Sequence, residues 1–145
     1  QPMKQKIIHS KSVAETQAFG ASCAKVNQRI WALTGNLGAG KTTFSQGFIT
    51  ALGIKTPVLS PTFTIFRVYP LADGRRLYHI DLYRLDLKSE LEPLGLKDIL
   101  DDSQNIVLIE WAEKAPHLIP KEATWLTFEH ELPHGKVRII KSGAL

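Results

Sequence analysis

Between residues 12 and 26, the apolar positions Val13, Phe19, Cys23 and Val26 are spaced to share one face of a helix. Ser12 and Glu15 form a capping box, which predicts the start of that helix. The next apolar positions are consecutive: Ile30-Trp31-Ala32-Leu33, closed by Thr34 and running straight into glycines. Four residues are too few for a helix, so this run predicts a buried strand. Helical spacing returns over residues 42–52 with Phe44, Phe48, Ile49 and Leu52, and Gly53 marks the end. A loop around Pro57 and Pro61 leads into an alternating strand over residues 63–69. Asp73-Gly74 is a hairpin turn signal, and residues 77–82 are the returning strand. Residues 89–100 predict a shorter helix, opened by a second capping box at Ser89 and Glu92, with Pro93 near its first turn. Ile106-Val107-Leu108-Ile109 predicts a buried strand ending in Glu110-Trp111. Pro116 and Pro120 bracket a loop, and residues 124–131 and 136–141 alternate as strands around Pro133-His134-Gly135.

Strands and helices interleave, with hairpins at the centre and the end. That order predicts an α/β fold with a mixed parallel/antiparallel sheet. No repeat, low-complexity tract or linker divides the chain, so residues 3–145 read as a single domain. Its 145 residues are enough to bury about 70% of the unfolded surface. Composition changes this picture little. The hydrophobic fraction of 43% and charged fraction of 22% are those of a globular protein, and a net charge of +4 does not by itself indicate a nucleic-acid partner. Cys23 stands alone, which excludes an internal disulfide, and its small neighbours suit a helix packing position. No apolar run approaches the roughly 18 residues of a spanning helix, and no signal peptide opens the chain. The expectation is a reduced, cytoplasmic protein with no membrane contact. Gln1 and Pro2 precede Met3 and are left out of the fold.

The chemistry is concentrated in Gly35-Asn36-Leu37-Gly38-Ala39-Gly40-Lys41-Thr42, which fits G-x-x-x-x-G-K-[ST] at every position. Glycines let successive amides turn inward as a nest, and the positive end of the following helix adds to their pull on a β-phosphate. Lys41 is placed to bridge β- and γ-phosphates, and the Thr42 hydroxyl to hold magnesium. The loop follows a predicted buried strand and opens a predicted helix, as a P-loop must. The expected fold is therefore a P-loop NTPase-like three-layer sandwich, with ATP and Mg2+ as the expected cofactors.

Such a loop needs an acid at the tip of a neighbouring strand, and two segments provide one. Ile106-Val107-Leu108-Ile109-Glu110 is fully apolar before its acid, and Tyr78-His79-Ile80-Asp81 is interrupted by His79. Glu110 is favoured for the metal and Asp81 for orienting the attacking water, though both positions suit either task and both also suit plain helix capping. His79 is placed near the same site, where a lone histidine beside a strand-end acid is more often a packing or hydrogen-bonding residue than a functional one. Ser60 and Thr62 flank Pro61 in the loop after the P-loop helix. Threonines there contact the γ-phosphate in nucleotide switches, and they also cap turns.

Taken together, several segments resemble the bacterial TsaE (YjeE) family: residues 35–43, Ser60-Pro61-Thr62-Phe63, His79-Ile80-Asp81-Leu82-Tyr83-Arg84-Leu85, Glu92 with Leu94-Gly95, and Ile109-Glu110-Trp111-Ala112-Glu113. Asp-Leu-Tyr-Arg-Leu is the most diagnostic stretch, and the resemblance runs roughly from Ser10 to Pro120. It implies a slow P-loop ATPase of tRNA threonylcarbamoyladenosine synthesis. Its partner is the TsaB–TsaD pair, which transfers a threonylcarbamoyl group to N6 of adenosine 37, so tRNA is reached only through that complex. It also implies that Lys41, Thr42 and Thr43 belong to the nucleotide loop and that Asp81 and Glu110 are the acidic positions. Ser60 and Thr62 match the switch-like loop, and Trp111 lies near the nucleotide or the partner surface. Trp31 is bulkier than expected for a P-loop strand, and residues after Leu132 carry no family mark.

Two other classes share the P-loop. A small nucleotide or metabolite kinase needs an acceptor pocket and usually an arginine-bearing lid, and no lid-length insertion is visible. A nucleotide-binding interaction module needs no turnover at all. A GTPase is disfavoured because no Asn-Lys-x-Asp segment occurs. Arg84 is the arginine inside a matched motif, and it suits either a γ-phosphate contact in cis or a surface ion pair.

Overall fold

A computed structural model describes residues 5–35, 40–55, 66–83, 95–131 and 136–143. The strands are β1 (Gln5–Ser10), β2 (Ile30–Gly35), β3 (Phe66–Pro70), β4 (Arg76–Asp81), β5 (Asn105–Glu110), β6 (Thr124–Glu131) and β7 (Lys136–Gly143). They make one seven-stranded sheet in the order β1-β7-β6-β2-β5-β4-β3. β6, β2, β5 and β4 run parallel; β7 extends one side antiparallel to β6, with β1 antiparallel to β7 beyond it, and β3 extends the other side antiparallel to β4. This is the mixed sheet expected from the order of elements.

Alternation along the central strands sorts side chains to two faces. Trp31 and Leu33 of β2 and Leu108 of β5 pack against α1 (Val13–Cys23) and α2 (Lys41–Ala51). Ile30, Ala32, Val107 and Ile109 pack on the other side against α3 (Leu96–Asp101) and the turns around Ala112 and Ala115. The result is three layers. Trp31, the unexpectedly large residue, is fully buried with ring centroids 6.5 Å from Phe44 and 5.8 Å from Phe48. Its indole N–H donates to the Gln28 carbonyl at 3.2 Å, so its polar edge is satisfied. Each buried Phe contributes about 1.5–3 kcal/mol, and ring pairs of this kind add about 0.5–1.5 kcal/mol.

α1 begins where its capping box predicts: Ser12 Oγ accepts the Glu15 N–H at 3.1 Å. Glu15 reaches back one residue further than a standard box, to the Lys11 N–H at 2.9 Å. Half of the expected face of α1 holds. Cys23 is buried and Phe19 packs against Phe44 with ring centroids 5.6 Å apart, but Val13 and Val26 are 63% and 48% exposed, and Thr16 and Gly20 face inward in their stead. Backbone proximity explains the change. A Cβ on Gly20 would lie 2.2 Å from the Phe44 carbonyl oxygen, and one on Gly47 would lie 2.0 Å from that of Gln17. The α1–α2 crossing is therefore made by two glycines, which a search for large apolar residues overlooks.

β1 was not predicted. Of the helix expected over residues 89–100, the described part is α3, which starts at Leu96 after a left-handed Gly95 at φ 67°; residues 89–94, with the Ser89–Glu92 capping box, lie outside the described residues. The loop after Trp111 contains two short 3-10 turns, Ala112–Lys114 and Pro116–Leu118. Among the described residues, no helix is long and apolar enough to cross a membrane.

Candidate functional site

β2, β5 and β4 are parallel neighbours and end together, so their last residues meet at one edge of the sheet. In register, Leu33 lies beside Glu110 and Glu110 beside Asp81. By parity, Glu110 and Asp81 point to the face that carries α2. That helix starts directly from the loop after β2. Gly40 precedes it at φ 106°, and no side chain caps it. The first amides of α2 thus have no intrahelical acceptor and, among the described residues, no capping side chain.

Lys41 and Thr42 open α2 above the two acids. Thr42 Oγ1 donates to Glu110 Oε1 at 3.2 Å. The other carboxylate oxygen, Oε2, is held by His79 Nε2, and both side chains are buried. Asp81 is half-buried, and its Oδ1 accepts the Tyr83 N–H at 2.9 Å. Burial raises the Asp81 pKa above the ordinary carboxylate value and the neighbouring Glu110 charge adds to this, while the Tyr83 N–H, His79 and Lys41 oppose it.

Lys41 is only 4% exposed. Its ammonium donates to the Gly35 carbonyl and lies 3.4 Å from the centroid of the Trp111 ring. Burial lowers the Lys41 pKa, and Glu113, Glu110 and Asp81 counteract that loss, Glu113 most of all. Trp111 sits at φ 60°, a left-handed conformation unusual for a bulky residue, and this turns the chain sharply after β5. Its ring also packs against Tyr83, with centroids 4.8 Å apart. Gly35, the first loop glycine, is at φ 128°, and a Cβ there would lie 2.2 Å from the Phe128 carbonyl oxygen. Its N–H points to Glu113 Oε2 at 3.4 Å.

Of the expected site residues, the structure brings Gly35, Gly40, Lys41, Thr42, Asp81, Glu110 and Trp111 to one edge. Thr43 occupies the first turn of α2, half-buried. Asn36, Leu37, Gly38, Ala39, Ser60, Thr62 and Arg84 lie outside the described residues. Glu113 and Tyr83 lie in the segments that carry the family resemblance, and that resemblance assigns them no role. The spacing of Glu110 and Glu113, three residues apart across a tight turn, is the signal that places Glu113 beside the loop. His79 is the hydrogen-bonding residue it was read to be, and its partner is the site acid itself.

Comparison with known proteins follows the same segments. The family model described as "Threonylcarbamoyl adenosine biosynthesis protein TsaE" matches residues 10–139, well past Pro120 and into β7. A Bacillus subtilis tRNA threonylcarbamoyladenosine biosynthesis protein TsaE is 42% identical over 124 residues, covering 83% of this chain and 75% of the relative. The protein of that name from Rickettsia bellii is 37% identical over 117 residues, covering 80% and 79%. The Haemophilus influenzae protein is 44% identical over 89 residues, and that match spans 61% of this chain and 55% of the relative. The crystal structure of Bacillus subtilis YdiB superposes with a TM-score of 0.79 at 29% identity, covering 100% of this chain and 89% of that one. With the P-loop strand, the helix it opens and the two strand-end acids all inside the matched region, the chain belongs to the TsaE family.

Proposed function

We propose that this chain binds ATP with magnesium and hydrolyses it slowly, as the nucleotide-driven component of tRNA threonylcarbamoyladenosine synthesis. The observation that carries this reading is the meeting of Lys41, Thr42 and Glu110 at the uncapped start of α2, with Asp81 one strand away. Uncapped amides beside a buried ammonium suit a polyphosphate. The Thr42 hydroxyl and the Glu110 carboxylate form a set of hard oxygen donors, which suits magnesium. Among the described residues no cluster of three or more His, Cys, Asp and Glu side chains makes a self-sufficient metal cage. Magnesium does not need one, since it is commonly held by one or two carboxylates together with substrate phosphates. When bound, it neutralises charge on the phosphates. Lys41 supplies positive charge to the β- and γ-phosphates, Thr42 and Glu110 hold the metal, and Asp81 orients the attacking water. Trp111 borders the nucleotide.

Family membership supports the tRNA-modification reading over a small-molecule kinase. Within it, the chain acts with the TsaB–TsaD pair, meets tRNA only through that pair, and works in the cytoplasm where tRNA is modified. Calorimetry with MgATP, followed by a reconstituted modification assay, tests the proposal. Micromolar binding and ATP-dependent formation of the modified nucleoside are expected. Phosphate transferred to a small acceptor, or no heat from MgATP, would overturn it.

A further inference from the structure

His79 is fully buried on the sheet face that carries Leu77, Ile106 and Leu108, with the acids Glu110 and Asp81 at its end. Placing a ring nitrogen there costs desolvation, which an apolar residue of similar volume would avoid. Two observations identify what the ring does. Its Nε2 meets Glu110 Oε2, the oxygen that Thr42 does not use. Its Nδ1 is buried with no partner among the described residues. A buried N–H without an acceptor costs about 1–3 kcal/mol, so the surroundings accommodate the tautomer with the proton on Nε2 and a bare Nδ1. In that form His79 spends its one N–H on Glu110.

We infer that His79 is a positioning residue. It fixes the rotation of the Glu110 carboxylate, so that Oε1 points to Thr42 and the metal position while Oε2 is held from behind. A free carboxylate at a strand end rotates about its last bond. Clamped between Thr42 on α2 and His79 on β4, it presents one oxygen in one direction. This inference rests on the proposed role of Glu110 toward magnesium. Partners standing behind a metal-binding side chain typically matter 10–100-fold for metal affinity or activity.

The test compares His79→Gln, whose amide nitrogen reaches the place of Nε2, with His79→Asn, whose amide nitrogen reaches only that of Nδ1. Calorimetry with ADP is run first in EDTA and then with magnesium. ADP affinity in EDTA is expected to be the same in wild type and both variants. The tightening produced by magnesium is expected to fall about 10–100-fold in His79→Asn and to return in His79→Gln. Turnover should follow as a loss of kcat with little change in KM for MgATP. Equal magnesium effects in the two variants, or weaker ADP binding in EDTA in step with a lower Tm, would overturn the inference and leave the nucleotide site standing. Wild-type protein that binds no ADP under either condition would remove the nucleotide reading itself. Should both variants fail to fold, histidine ring-nitrogen NMR of the wild type decides. The Nε2 signal should move when magnesium joins bound ADP and stay still when ADP binds in EDTA. No movement on adding magnesium would overturn the inference.

Discussion

At the scale of single residues, the site stores unfavourable electrostatics that a ligand would relieve. Lys41 is buried and has a lowered pKa, and Asp81 is half-buried beside Glu110 and has a raised one. Lys41→Ala removes the buried ammonium and is expected to weaken MgATP binding by about 1.5–3 kcal/mol or more, read by calorimetry. Glu110→Ala and Asp81→Ala should lower kcat by about 10²-fold or more while ATP affinity falls far less. Wild-type turnover in both would end their catalytic assignment. Asp81→Asn has a different expected effect on stability. The amide oxygen still accepts the Tyr83 N–H, and a charge that burial disfavours is gone. The folded pKa of Asp81 lies above the ordinary value of 3.8, so its ionisation costs stability increasingly as pH rises above 3.8, in full once pH exceeds the folded value. Below 3.8 the group is protonated in both states and costs nothing. Urea unfolding of the nucleotide-free protein should therefore show Asp81→Asn more stable by about 0.5–2 kcal/mol at neutral pH. The gain should shrink as pH falls toward 3.8. Cys23, buried with its pKa raised to about 11 by burial, should react with thiol reagents only as fast as the fold opens.

At the scale of elements, the α1–α2 crossing fixes where Lys41 and Thr42 sit, and glycines make that crossing possible. Gly47→Ala would drive a methyl against the Gln17 backbone, and backbone cannot rotate away as a side chain can. The helices must separate, which should cost about 1–3 kcal/mol or more in urea and displace the start of α2, weakening nucleotide binding as well. Gly53→Ala is the control. Its φ of 88° strains any L side chain, but nothing lies within 4 Å, so stability should fall by about 1 kcal/mol with nucleotide binding kept. How much was legible in the chain follows from the range of each interaction. Strand β2, helix α2 and the Asp73-Gly74 hairpin depend on neighbouring residues, and local pattern finds them. β1 has only Ser10 fully buried, so it has no alternating signature, and it exists because β7, some 130 residues later, pairs with it. The start of α3 at Leu96 turns on Gly95 going left-handed, which the apolar spacing of that segment does not register. Within the site, both strand-end acids were visible as apolar runs closed by a carboxylate. The contact of His79 with Glu110 needed the register of β4 against β5, and that of Lys41 with Trp111 needed the left-handed turn after Glu110. No single segment contains either.

For the whole molecule, the placement of arginines argues for slow chemistry in isolation. An arginine reaching the γ-phosphate adds a factor of about 10³–10⁵ to hydrolysis in P-loop enzymes. Here Arg29 donates to the carbonyls of Leu100, Asp102 and Asn105, tying off the end of α3. Arg75 pairs with Asp73 in the hairpin turn, and Arg76 with Asp102 at the opposite end of β4 from Asp81. Arg138 pairs with Glu129 on the far side of the sheet, across β6 and β7. These four are engaged away from the strand ends where Lys41 and Glu110 meet; Arg67 is exposed on the edge strand β3, in register with His79, and Lys41 is the cation that contacts Gly35 at the start of the loop. Isolated protein should then hydrolyse ATP slowly, and a partner that supplies positive charge or orders the site should accelerate it. Steady-state ATPase rates with and without TsaB–TsaD measure this directly, with Lys41→Ala as the blank. A rise of about tenfold or more on adding the pair is expected, reaching about 10³-fold or beyond if the pair supplies a full arginine contact. Equal rates would mean that the site already holds all the charge it uses. In that case Arg84→Ala, at the remaining arginine of the matched motif, should abolish the basal rate, and a variant as active as wild type would leave the slow turnover to Lys41 and the metal alone.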